Sequence, residues 1–143
     1  MECVSKIQKA TGFWYTHFMD PIYGIHCYLV VGPTNDSQYF SFCSAEDIDI
    51  SDYKPDRGEM DGCCWGPKDG SSVVMALAGF NSKDPTLVNT FVHEMFHFAH
   101  TAMNGRGQKH NSKWGEEAYA YFAGFVAEQF WRALLKWEKK QGS

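Results

Sequence analysis

The stretch that decides the fold is DPTLVNTFVHEMFHFAHTAMNG, which occupies residues 84–105. Asp84 and Pro85 are typical of a helix start, because aspartate accepts hydrogen bonds from the first free N–H groups and proline suits the first helical position. Asn104 and Gly105 are typical of a helix end. The stretch therefore predicts a helix over residues 85–103.

A helical projection of about 100° per residue divides this stretch into two faces. The apolar face collects Leu87, Val88, Phe91, Met95, Phe98, Ala99 and Ala102. The opposite face is polar and carries His93, His97 and His100. The helix is therefore expected to bury its apolar face and to direct the histidines into a cleft or towards another element.

The spacing of His93 and His97 is that of a metal-binding pair. Residues four apart lie on one helical face, with β-carbons about 5–6 Å apart. Two imidazoles placed in this way can bind one Zn²⁺, each at about 2.0–2.1 Å. Glu94 lies about 100° round the helix from His93, where it would reach a metal-bound water rather than the metal. The sequence predicts a zinc site with Glu94 as general base, in the H-E-x-x-H arrangement.

A catalytic zinc site usually has a third protein ligand. The candidates are Glu117, Glu116 and His110, with Glu117 favoured because it leads a run of small and aromatic residues at 118–123 that permits close helix packing. His100 is about 10 Å from His93 along the helix axis, so we expect it to support the site or to lie on the surface. The candidate donors to a developing oxyanion are Tyr119, Tyr121, His100 and His110.

The remaining patterns predict an α+β fold in one domain that spans residues 1–143. Residues 3–10 are expected to form a short helix, and residues 25–31 and 38–43 a β-hairpin. Residues 46–70 predict a long surface excursion with a short edge strand, and residues 73–78 a strand whose edge could receive an extended peptide. A second long helix is predicted over residues 113–140, with Tyr121, Phe125 and Ala118 on its packed face beside Glu117.

Composition restricts the class of protein. The chain is 44% hydrophobic and 16% aromatic, so a packed core is expected, and its net charge of −4 argues against a nucleic-acid partner. No signal peptide is visible, and the longest apolar run is far shorter than the roughly 20 residues of a membrane span. A cytoplasmic protein with no membrane partner is expected. The five cysteines are irregularly spaced, which predicts reduced thiols, with Cys63 and Cys64 in a loop.

The motif His93-Glu94-x-x-His97, followed by a helix that carries Glu117-Ala118-Tyr119, resembles the gluzincin branch of zinc metallopeptidases. The likeness covers residues 72–130, and its short spacing is similar to that of compact phage and prophage peptidase-like proteins, which would place the chain in a host cytoplasm. It implies a minimal zincin-like domain: a small sheet of about three to four strands, packed on the H-E-x-x-H helix and on a long C-terminal helix that supplies the third ligand. It also implies Zn²⁺ bound by His93, His97 and Glu117, and hydrolysis of a peptide or protein substrate. A metzincin is not expected, because its third histidine would fall on Met103.

Two other classes of protein fit parts of the pattern. A phage-type protein could keep the zinc site yet act by binding a host factor, with Tyr53 and Trp65 of the 46–70 excursion as contact residues. Zinc could also serve a purely structural role. Glu94 favours the enzyme, because a structural site has no need of a carboxylate beside His93.

Overall fold

The computed structural model describes residues 3–53, 58–105, 107 and 113–142. Its elements, in chain order, are β1 (Val4–Ile7), β2 (Trp14–Met19), β3 (His26–Val31), α1 (Asp36–Ala45), β4 (Gly62–Trp65), β5 (Ser72–Leu77), α2 (Pro85–Asn104) and α3 (Lys113–Gln141). The strands precede the two long helices, and the predicted α+β class is confirmed. In the described part of the chain, no helix combines the length and the apolar character needed to cross a membrane.

The strands form one sheet in the order β1-β2-β3-β5-β4. Neighbours run antiparallel, except that β3 and β5 are parallel with Leu29 opposite Met75. The sheet has five strands, more than the predicted three to four, and β1 and β2 are the strands that were not predicted. The predicted role of residues 73–78 as an exposed edge is wrong: β5 is an inner strand, and the edge belongs to β4, the short edge strand expected within the 46–70 excursion.

Residues 36–45 form a helix where the sequence predicted the second strand of a hairpin. Asn35 caps this helix, its side chain accepting a hydrogen bond from the backbone N–H of Gln38 at 2.9 Å. The helix buries a stripe at the three- and four-residue spacing of one helical face, formed by Tyr39, Phe42 and Cys43. The cap and the buried stripe favour a helix more than the residue types of this segment favour a strand. The predicted hairpin of residues 25–31 and 38–43 is therefore wrong.

The predicted helix at residues 3–10 is also wrong, because this segment contains strand β1. All four residues of β1 are exposed, so a helix here would have had no buried face. A turn instead brings the segment alongside β2, with Lys6 opposite Tyr15. The turn is closed by a hydrogen bond of 2.8 Å from the N–H of Gln8 to the carbonyl of Phe13.

The sheet lies between helices, and successive residues of each strand point to opposite faces. One face packs on α2 and α3 through Phe18, Leu29, Val31, Val73, Met75 and Leu77. The other face packs on α1 through Tyr15, Tyr28, Val30, Val74 and Ala76. The predicted loop for Cys63 and Cys64 is wrong, since both lie on β4, with Cys63 in the α1 layer and Cys64 against the α2 layer. The five cysteines form no disulfide, in agreement with the predicted reduced thiols.

Helix α2 confirms its sequence signals closely. The side chain of Asp84 accepts a hydrogen bond from the N–H of Thr86 at 3.0 Å, Pro85 opens the helix, and Gly105 is the carboxyl-terminal cap. The predicted apolar face is buried at Phe91, Met95, Phe98, Ala99 and Ala102, whereas Leu87 and Val88 are half-buried. Helix α3 spans the predicted range with one more residue. Both long helices therefore form over the stretches that the sequence predicted.

Candidate metal centre

His93 and His97 lie together on the exposed face of α2, as their spacing predicted. Their Nε2 atoms are 3.2 Å apart, and the ring centroids are 4.8 Å apart at an interplanar angle of 73°. Two nitrogen ligands at about 2.0–2.1 Å from a tetrahedral ion stand about 3.3–3.4 Å apart. The two imidazoles therefore have the spacing needed to bind one ion through their Nε2 atoms.

Glu94 occupies a different environment from the two histidines. It is 6% exposed, on the side of α2 that faces the edge strand β4. With His93 it lines a cavity of about 370 Å³, which is completed by Asn89 and Thr90 of α2 and by residues 59–62. The cavity thus has an imidazole and a carboxylate on one wall and the beginning of β4 on the other.

Gly62 is a site residue that the sequence reasoning missed. A β-carbon at this position would lie 2.9 Å from Cγ of Glu94, 3.2 Å from its Oε2 and 3.1 Å from Cγ2 of Thr90. Glycine inside a strand often marks a close approach of two parts of the chain, which is the signal that could have identified it. The absent side chain allows β4 to press against the buried carboxylate and so to hold it in place.

We expect Gly62→Ala to lower the free energy of unfolding by about 1–3 kcal/mol, the usual cost of forcing extra atoms into a packed site. The matched control is Gly79→Ala, because a β-carbon there meets nothing within 4 Å. Urea denaturation of the two variants measures the difference. Equal stability of both would show that β4 does not approach Glu94 as closely as described.

Two candidates for the third ligand, Glu116 and Glu117, lie near the start of α3, and neither forms a group with the histidine pair that could hold an ion. Glu117 is exposed. Glu116 is also exposed and borders an apolar groove beside Phe96. His110 lies outside the described residues. Within the described ranges, no three His, Cys, Asp or Glu side chains form a group that could hold an ion.

The packed face of α3 agrees with the predicted one only in part: Ala118 and Phe125 pack against the core, as predicted. Tyr121, expected on that face, is 75% exposed. The buried face is formed by Tyr119, Phe122, Val126, Phe130, Ala133 and Leu134. The helix is rotated from the predicted orientation, because the larger stripe of Phe122, Val126 and Phe130 is the one that meets the sheet and α2. Burial therefore provides no reason to prefer Glu117 over Glu116 as the third ligand.

The amino-terminal part of α3 nevertheless lies next to the histidine-bearing half of α2. The ring of Tyr119 is 6.1 Å from that of His100, and the His100 ring is stacked on Phe96 at 6.4 Å. His100 is exposed and Tyr119 is buried, with burial raising the pKa of the Tyr119 hydroxyl. Tyr119 and His100 thus contact each other where α3 meets α2, whereas Tyr121 is largely exposed.

Two aromatic residues of the excursion, Tyr53 and Trp65, are half-buried. The rings of Tyr53 and Trp65 meet edge to face at 5.4 Å, and Phe40 lies 4.5 Å from Tyr53. Tyr53 and Trp65 both pack against the core layer on the α1 side of the sheet. Part of each residue therefore packs in the interior, and their role as anchors for a host factor stays a prediction.

A second histidine pair, His17 and His26, lies on the same sheet face as α1. Nε2 of His17 is 3.0 Å from Nδ1 of His26, and His17 stacks on Tyr28 at 4.3 Å. Burial, followed by the neighbouring His26, lowers the pKa of His17. The His17 and His26 rings are half-buried and stacked on each other, which sets them apart from the exposed, edge-to-face pair on α2.

Assignment of the centre depends on His93, Glu94 and His97 themselves, since comparisons of the chain with protein-family models, curated proteins and solved structures found no match.

Proposed function

We propose that this chain is a zinc-dependent peptidase with a zincin-like fold. The observation that carries the proposal is the 3.2 Å approach of the Nε2 atoms of His93 and His97, beside the buried Glu94, at the wall of a cavity. Two imidazoles and a carboxylate suit zinc better than magnesium or calcium, which prefer oxygen ligands alone. A solvated helix face with no function would not need a buried glutamate next to an exposed histidine pair.

His93, His97 and Glu117 are the residues that would hold the ion. Glu117 belongs to the part of α3 that lies against the second half of α2. Its carboxylate is exposed, as is that of Glu116, so the choice of Glu117 rests on the resemblance of Glu117-Ala118-Tyr119 to the gluzincin pattern. Held there, a zinc ion would lower the pKa of a bound water to about 7 and would polarise the scissile carbonyl. Glu94 takes a proton from the attacking water and returns it to the amide nitrogen of the leaving group, so that one water and one peptide bond give an acid and an amine.

The edge strand β4 is the proposed docking site for the substrate backbone. β4 pairs with β5 on one side and is the last strand of the sheet, so its outer edge can hydrogen-bond an extended peptide. Gly62 at its start lies against Glu94, which would bring a peptide on this edge close to the general base. This role replaces the one predicted for residues 73–78.

The proposal predicts that the purified full chain holds about one zinc ion and that His97→Ala loses most of it, because a single imidazole cannot chelate the ion. Elemental analysis measures this directly. The matched control is His100→Ala, which removes an exposed histidine from the same face of α2 and should leave the zinc content unchanged. Equal zinc in the wild type and in His97→Ala would remove the basis of the site assignment.

The same measurement distinguishes the two candidate glutamates. Glu117→Ala should weaken zinc binding by at least about tenfold, since even the loss of groups that only orient a ligand costs that much. Glu116→Ala should change the affinity little. The reverse result would make Glu116 the ligand and would leave the histidine pair and the general base as proposed.

A further inference from the structure

We propose that strand β1 and the adjoining end of α3 bind an acidic, extended segment of a partner protein, which adds to the sheet as a sixth strand beside β1. This surface is at the opposite edge of the sheet from β4, and the inference is independent of the zinc site. Three features of the described residues support it: an open strand edge, an aromatic cavity next to it, and a local excess of positive charge.

The open edge belongs to β1. In the described part of the chain β1 pairs with β2 alone, and Val4 and Ile7 are 53% and 65% exposed. A strand with one partner directs the N–H and C=O groups of alternate residues away from the sheet. These groups can form a backbone ladder with an extended peptide, and the apolar side chains of Val4 and Ile7 can contact side chains of the added strand.

The aromatic cavity lies where β1 and β2 meet the last turns of α3. It has a volume of about 210 Å³ and is lined by Ser5, Trp14, Lys136, Trp137, Lys139 and Lys140. The rings of Trp14 and Trp137 are 6.2 Å apart and tilted by 43°, and both are half-buried. The wall is held in place by a hydrogen bond from Ser5 Oγ to Thr16 Oγ1 at 3.1 Å. The cavity can therefore receive one apolar side chain of a strand added to β1.

The charge around the cavity favours an acidic partner. Lys136, Lys139 and Lys140 are exposed on its rim, and Lys6 lies on the other face of β1, 5.7 Å above the Tyr15 ring. The chain as a whole has a net charge of −4, so this local group of lysines is opposite in sign to the net charge of the protein. A second copy would place lysine against lysine, which disfavours self-pairing, and a nucleic acid would make no use of the strand edge.

The test uses the full chain and a fluorescent peptide of about ten residues in which glutamates alternate with valines around a central phenylalanine. Anisotropy should show saturable binding that weakens with salt. Lys136→Glu should reduce the affinity about fivefold or more, because it reverses a charge at the cavity rim. Lys68→Glu, which reverses an exposed lysine in the turn before β5, should leave it unchanged.

Backbone pairing is tested with two versions of the peptide, each N-methylated at alternate residues in one of the two registers. Only one set of N–H groups faces β1 in an added strand, so one version should lose binding and the other should keep it. Equal binding of both would overturn strand addition. If no peptide binds, the lysines only protect the strand edge against aggregation. If a single-stranded oligothymidine binds instead, the surface is a nucleic-acid site. Either result overturns the proposal.

Discussion

Glu94→Gln is expected to lower peptide hydrolysis by at least about 100-fold, because the loss of a positioned general base typically costs 10²–10⁴ in rate. The amide has the shape of the carboxylate and fits the same space beside Gly62, yet it cannot accept the proton of the attacking water. His93 and His97 are unchanged, so the zinc content should stay near that of the wild type. Loss of activity with retention of metal is the signature of a base rather than of a ligand.

The measurement combines elemental analysis with cleavage of a broad peptide library, read by mass spectrometry. The control is Glu128→Gln, which removes a carboxylate that is exposed on α3 and ion-paired with Arg132 at 3.2 Å, and which should retain full activity. If Glu94→Gln cleaves a wild-type substrate at the wild-type rate, Glu94 is not the base. If neither protein cleaves any peptide, the site binds metal without peptidase activity and the proposed function fails.

Phe130→Ala is expected to lower the free energy of unfolding by about 3–5 kcal/mol, the usual cost of deleting a buried phenylalanine ring. Phe130 is 0% exposed, and its ring packs edge to face against Phe98 of α2 at 5.3 Å and Phe18 of β2 at 5.7 Å. The side chain therefore joins α3 to both the site helix and the sheet. Its removal leaves a cavity where three elements meet.

Urea denaturation measures this loss. Tyr121→Ala is the control on the same helix, because Tyr121 is 75% exposed and its removal should change the stability by no more than about 0.5 kcal/mol. If Tyr121→Ala is the more destabilising of the two, the rotation of α3 is that of the sequence prediction. In that case the Tyr121 face packs on the core and the burial argument for Glu117 regains its force.

The parts of the fold that sequence reasoning predicted correctly are those specified by local signals. Helix α2 has a capping aspartate, a proline in the first position, a continuous apolar face and a terminal glycine, all within 22 residues of each other. The spacing of His93 and His97 follows from helix geometry alone, and so does their exposure. Strands β3 and β5 are apolar runs between turn residues, and they too were recognised without any knowledge of their partners.

The parts that failed depend on contacts between distant residues. Part of the 3–10 segment forms strand β1 because β2 lies alongside it. Residues 36–45 form a helix because Tyr39 and Phe42 are buried against the sheet. The predicted rotation of α3 about its axis was wrong because two faces of that helix carry aromatic residues. Only packing against Phe98 and Phe18 selects the face with Phe122 and Phe130 over the one with Tyr121.

The sequence by itself therefore determined that a histidine pair and a glutamate share one helix, because the period of a helix relates residues 93, 94 and 97 whatever surrounds them. The tertiary structure alone decided that Gly62 packs against Glu94 and that both residues line a cavity. These features arise where two segments about 30 residues apart in the chain approach each other. No local sequence pattern encodes this approach, because the entropy cost of closing such a loop is offset only by the packing of the whole core.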